Sequence, residues 1–292
     1  MELNHDSPAS IRSVLESRGI APRKRWGQNF LINRGAREKI VSMLDAAENH
    51  NIWEIGPGLG SMSIILLEKV SSLTMFEIDP AYCEWLNEYI PNQISRIKRK
   101  VKYKIVKGDV LRNWQTEWKE NKPDKILGNL PYNAASAIIA SFIESGRLPT
   151  ECVFTVQDEM GQRMTAQPGS KDYSSFSILV QTAAVIKDGG RLSRGSFYPA
   201  PRVSSRIIKL VSGEPYGKIL NPEVFRMLVR SLFLSKRKTL LNNINASSSV
   251  KKLPEPAIIR DAFISENIDL SRRPETVSPG EWVNIANKLA EV

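Results

Sequence analysis

Between residues 51 and 157 short apolar runs alternate with longer amphipathic stretches, the signature of a parallel sheet whose strands are joined by crossover helices. Asn51 to Ile55, Leu73 to Ile78, Lys102 to Lys107, Lys125 to Leu127 and Cys152 to Val156 read as strands. Ser61 to Val70, Pro80 to Tyr89, Trp114 to Glu120 and Ala134 to Ser145 read as the helices between them. Pro80 opens the second of these at its first turn, and Gly146 stops the last. Farther on, Ser177 to Ile186 is mostly apolar, and Arg206 to Val211 is strand-like and closes the sheet. Val224 to Leu234, Ala257 to Phe263 and Glu281 to Leu289 then carry helical periodicity. The expected fold is α/β over residues 1–215, a linker around Ser212 to Gly217, and a small helical C-terminal domain over 216–292.

Charge changes this picture most. A net charge of +10 and a pI near 9.6 favour a polyanionic partner, and nucleic acid is the expected one. The basic residues cluster in Arg23-Lys24-Arg25, in Arg96 to Lys100 and in Lys236-Arg237-Lys238. Apolar runs such as Ile64 to Leu67 and Ala137 to Ala140 are far too short to cross a bilayer, so no membrane association is expected. The opening residues resemble neither a secretory signal nor a transit peptide, and a cytoplasmic location is the expectation. Two cysteines, Cys83 and Cys152, without a CxxC pair, and two histidines, His5 and His50, argue against a metal site.

The candidate chemistry sits at the ends of the expected strands. Trp53-Glu54-Ile55-Gly56-Pro57-Gly58-Leu59-Gly60 follows the first strand, where an open α/β sheet places its ligand crevice. Ser61 stands where a dinucleotide fingerprint would need its third glycine, and Gly60 comes one residue early. The GxGxG spacing instead suits S-adenosylmethionine, which has no pyrophosphate to cradle. Glu77, ending the second strand, is placed to accept from both ribose hydroxyls of an adenosyl group. Asp109, after the third, is placed to accept from the adenine amine of that cofactor. Alternatively, Glu77 is a charge ahead of the helix at Pro80, and Asp109 a turn residue.

Asn129-Leu130-Pro131-Tyr132 follows the fourth strand and suits the methylation of an exocyclic amine. Such a nitrogen is a poor nucleophile because its lone pair is delocalised into the ring. The Asn129 side-chain oxygen and a backbone carbonyl held rigid by Pro131 can accept its two hydrogens and favour the tetrahedral amine. Tyr132 supplies a face on which an extruded base can stack. A strand ending in an ordinary Asn-Pro turn is the competing reading.

With Arg25-Trp26-Gly27-Gln28-Asn29-Phe30-Leu31 upstream and Phe197-Tyr198-Pro199-Ala200-Pro201-Arg202-Val203-Ser204-Ser205 downstream, the chain resembles the KsgA-type ribosomal RNA adenine dimethyltransferases nearly end to end. Gln157-Asp158-Glu159, Pro168 to Tyr173 and Ser235 to Asn243 extend the match. The resemblance implies a class I S-adenosylmethionine-dependent methyltransferase domain, Rossmann-like, with a helical C-terminal domain. It implies dimethylation of two adjacent adenosines near the 3′ end of 16S rRNA, within a pre-ribosomal small-subunit particle; the expectation for the chain itself is a monomer that needs no metal, although the sequence does not read out oligomeric state. Gln28, Asn29, Leu31, Gly56, Gly58, Glu77, Asp109 and Asn129 would line the cofactor site. Asn129, Leu130, Pro131 and Tyr132 would hold the target adenine, and Phe197 would be its second stacking face or else an ordinary core aromatic. Rival readings are a large-subunit rRNA adenine methylase of the antibiotic-resistance type, a DNA adenine methyltransferase, and a ribosome-assembly factor in which binding matters more than catalysis.

Overall fold

The structure is a computed structural model that describes residues 3–20, 29–97, 100–250 and 252–291. The chain forms two compact units. The first comprises Met1–Phe142, Leu148–Gly161 and Lys187–Val211; the second comprises Ile143–Arg147, Gln162–Ile186 and Ser212–Val292. The chain enters the second unit for the last time at Ser212. That unit also takes 143–147 and 162–186 from within the span assigned to the first domain.

In chain order, the first unit runs through α1 (Pro8–Ser17), β1 (Phe30–Leu31), α2 (Arg34–Leu44), β2 (Asn51–Ile55), α3 (Ser63–Leu67), β3 (Ser72–Glu77) and α4 (Pro80–Ile97). It continues with β4 (Lys102–Lys107), α5 (Val110–Glu120), β5 (Lys125–Asn129), most of α6 (Ala135–Glu144), β6 (Glu151–Gln157) and the first half of α7 (Asp158–Thr165), which passes into the second unit at Gln162. After α8 (Ser175–Ala183) come β7 (Ala184–Leu192), β8 (Phe197–Tyr198) and β9 (Ser205–Ser212). Seven strands form one sheet in the order β4-β3-β2-β5-β6-β9-β7. The first five are mutually parallel, and β9 runs antiparallel to β6. The chain builds outward from β2 to β3 and β4, then returns to β5 on the other side. The crevice between β2 and β5 is therefore the switch point at which such a sheet takes a ligand.

Burial explains the elements. β2 and β5 lie in mid-sheet and bury nearly every residue, whereas β4 is an edge strand with exposed lysines. On one face Trp53, Trp114 and Phe142 pack together, with ring centroids of Trp114 and Phe142 4.6 Å apart. On the other, Ile40, Val41 and Leu44 of α2 join Leu127, Val153 and Ile207 in the core. The helix from Pro80 runs on through Pro91 to Ile97 rather than ending at Tyr89. Ile90 is buried and Ile94 and Ile97 pack against the core, so apolar burial outweighs the backbone bond that Pro91 cannot make.

The second unit gathers α9 (Pro222–Leu232), α10 (Leu240–Ala246), α11 (Pro256–Ser265) and α12 (Pro279–Ala290) with α8 around one core. Phe225, Leu228, Phe263 and Trp282 fill it, together with Tyr173 and Ile178 from the earlier segment. Tyr173 Oη donates to the Val277 carbonyl at 2.9 Å, and Gly169 N donates to that of Glu275 at 2.6 Å. These contacts explain why 162–186 belongs here.

Candidate active site

The glycine-rich turn leaves β2 with Gly56 at φ +72° and Gly58 at φ +56°, a region open to glycine and strained for other residues. A Cβ on Gly56 would stand 3.3 Å from the Asn129 carbonyl, and one on Gly58 3.2 Å from the Phe30 ring. The turn can therefore press against both the end of β5 and the N-terminal segment only because these side chains are missing. Across the turn Glu77, 4% exposed, accepts from Gly58 N at 3.0 Å through one carboxyl oxygen and from Asp79 N at 2.9 Å through the other. Burial pushes its carboxyl up to about 7, against the pull of those two backbone N–H groups.

A second acid lies behind the turn. Glu54 is wholly buried, and Ser63 Oγ donates to one of its oxygens at 2.6 Å while the other oxygen has no partner. Burial, eased by Ser63 and increased by the charge of Glu77, pushes this carboxyl also up to about 7.

β1 pairs with β8, Phe30 opposite Tyr198 and Leu31 opposite Phe197, so two segments far apart in sequence meet beside the crevice. Arg12 of α1 fixes the outer side of this ribbon by donating to Tyr198 Oη at 3.1 Å. On the inner side Asn129 Nδ2 donates to the Asn29 carbonyl at 3.0 Å. That bond orients the amide and turns Oδ1 into its accepting edge. Asn29, Leu31, Gly56, Gly58, Glu77, Asn129 and Pro131 all line one cleft of about 620 Å³, its open mouth included.

The residues following Asn129 play different parts. Leu130 is 1% exposed, and its N–H donates to the Thr155 carbonyl. Tyr132 is half-buried, with its hydroxyl 2.6 Å from Ser205 Oγ. Burial, partly offset by Ser205, raises the phenol above its ordinary value.

The chain as a whole is similar to known proteins. Residues 20–291 match the family described as Ribosomal RNA adenine dimethylase. The chain belongs to that family. A relative from Borreliella burgdorferi, "Ribosomal RNA small subunit methyltransferase A", is 43% identical over 99% of this chain and 96% of its own. Among solved structures, a dimethyladenosine transferase from Plasmodium falciparum aligns at TM-score 0.72 and 21% identity over 87% of this chain and 94% of its own. The 23S rRNA methyltransferase ErmE aligns at TM-score 0.64 and 20% identity over 90% and 100%. These two establish the methyltransferase fold for this member of the adenine dimethylase family.

Of the expected site residues that the structure describes, Asp109, Leu130, Tyr132 and Phe197 are not among those lining the cleft. Gln28 and the cluster Arg23-Lys24-Arg25 lie outside the described residues. Asp109 caps α5, accepting from Leu111 N at 2.9 Å, and does not line the cleft. Phe197 is 3% exposed and packs in the core, so its ring is not an open stacking face in this conformation. Conversely, Ser61, Met62, Ile78 and Tyr82 line the cleft without having been singled out. Ile78, 39% exposed directly after buried Glu77, was detectable as an apolar residue past the end of its strand. Tyr82 was not: its place depends on the edge-to-face contact with Phe30, 5.7 Å between centroids.

Proposed function

We propose that this protein dimethylates two adjacent adenosines near the 3′ end of small-subunit rRNA, with S-adenosylmethionine as methyl donor. The observation that carries the reading is the Asn129 amide, fixed by the Asn29 carbonyl so that Oδ1 accepts, at the rim of a cleft that also contains Glu77. The residues present fit the donor. Gly56 and Gly58 let a ligand approach backbone, Glu77 can accept from two vicinal hydroxyls, and Ile78 offers an apolar surface to a purine. The relatives named as small-subunit methyltransferases support the choice of subunit, since the Borreliella burgdorferi protein matches over nearly its whole length.

When bound, S-adenosylmethionine supplies an electrophilic methyl group on a sulfonium. Asn129 Oδ1 and the Leu130 carbonyl accept the two N–H hydrogens of the target amine and hold its lone pair out of conjugation with the ring. Pro131 keeps that carbonyl rigid, and Tyr132 presents the face against which the extruded base lies. The alkylated amine is acidic enough to lose its proton to solvent, so no side chain here has to serve as base. The open cleft lets a monomethylated amine turn for the second transfer.

Asn129→Ala is expected to lower turnover by roughly 10²–10³-fold, the scale for removing one preorganised polar group, with RNA affinity retained. Labelled S-adenosylmethionine offered with unmethylated small subunits, large subunits or duplex DNA tests the substrate. Label confined to large-subunit rRNA or to DNA would refute the proposal.

A further inference from the structure

The end of β9 does more than close the sheet. Ser205, its first residue, is fully buried and pairs with Gln157 at the end of β6. Its hydroxyl lies 2.6 Å from Tyr132 Oη, joining two segments 73 residues apart in the chain. The neighbouring backbone is held on both sides, by the bond from Asp158 N to the Ser204 carbonyl and by that from Leu130 N to the Thr155 carbonyl. Arg206, next along β9, donates to Asp158 at 2.8 Å and pairs with Asp188, while Arg191 reaches the other Asp158 oxygen at 3.1 Å. Gly161 closes this anchorage: a Cβ there would lie 2.6 Å from Arg206 Cδ.

The Tyr132 hydroxyl is thus held from the β9 side of the fold. We infer that Ser205 is a positioning residue that tethers the Tyr132 hydroxyl and so sets the plane of the ring on which the target adenine stacks. The inference rests on the reading of Tyr132 as the base platform and adds its support. Stacking depends on ring orientation as well as ring area, so a ring free to tilt keeps its apolar surface but loses the alignment of the amine with its two acceptors. Tyr132 on this account acts through its face, and its hydroxyl is neither acid nor base in the reaction.

Steady-state methylation of unmethylated small subunits by the full chain tests this. Ser205→Ala and Tyr132→Phe should each lower kcat by roughly three- to tenfold, the rate equivalent of one hydrogen bond, with KM for S-adenosylmethionine unchanged. The double variant should be no slower than either single one, because both remove the same bond. Ser205→Thr, which restores the hydroxyl, should recover most of the rate. A 2-aminopurine placed at the target position in a short RNA should be less quenched by either single variant than by the wild type. Tyr132→Phe leaves β9 untouched, so it reads the tether even where Ser205→Ala does not fold. Losses that multiply in the double variant, or wild-type kcat and quenching in Tyr132→Phe, would overturn the inference. Failure of the wild type itself to methylate small subunits would instead overturn the function proposed above. A wild type that methylates while Asn129→Ala does not, alongside an undiminished Ser205→Ala, would remove the tether alone.

Discussion

Glu54 and Glu77 are buried carboxyls on adjacent strands, and each is held up to about 7 chiefly by burial. A carboxyl whose folded value is raised takes up protons on folding, so the stability it contributes is full below about 4.5 and is lost as pH rises toward 7. Glu54→Gln keeps the shape and removes the charge. Its melting temperature should match that of the wild type near pH 4.5 and exceed it progressively up to pH 8, and parallel curves would count against a protonated Glu54. Glu77 has a different consequence, because the hydroxyls of a bound nucleoside donate to its charged form. Affinity for S-adenosylmethionine should therefore fall by up to about tenfold per pH unit below 7 and level off above it. Titration calorimetry near pH 6.5, in two buffers of different ionisation enthalpy, should register proton release on binding.

At the scale of the element, α2 shows how the sheet supports the site from below. Lys125 donates to the Leu44 and Asp45 carbonyls at 3.0 and 2.7 Å, and Lys209 to that of Met43 at 2.8 Å, so two sheet lysines cap the C-terminal end of the helix. Glu151 pairs with both, at 2.9 and 2.7 Å. Burial works to raise this carboxyl, but the two lysines prevail and hold it below its usual value. Glu151→Ala would leave two nearly buried ammonium groups facing each other and should cost about 3 kcal/mol in chemical denaturation. Because the Glu151 value is depressed, its stabilising contribution is present above the ordinary carboxylate range and is lost as pH falls through the folded value. Strands with continuous apolar runs, such as β2 and β6, were legible from the sequence because burial on both faces writes a plain pattern. The two-residue β1 and β8 were not, since so short a strand has no period to read and its pairing is decided by distant residues. The glycine turn, Glu77 and Asn129 were legible for the same reason as the strands whose ends they mark. The tether between Tyr132 and Ser205 is a contact across the fold, and neither residue announces it.

For the molecule as a whole, the decisive fact is that chain order and spatial order differ. Tyr173 and Ile178 lie in the core of the second unit, among helices that follow residue 221. A fragment ending at residue 215 would therefore carry them without their partners. It should bind a hydrophobic dye and precipitate or self-associate, whereas the full chain stays dispersed; a soluble, well-folded 1–215 fragment would contradict the division into units. The same feature bears on how the protein is made. β9, the last strand in chain order, is complete by Ser212, so the first unit has its whole sheet before α9 to α12 are made. Trp282, part of the second core, comes later in the chain than every strand of that sheet. In the nascent chain every strand of the first unit is thus present while the second unit still lacks α9 to α12, and the segment 162–186 waits for those helices before its apolar side chains are covered.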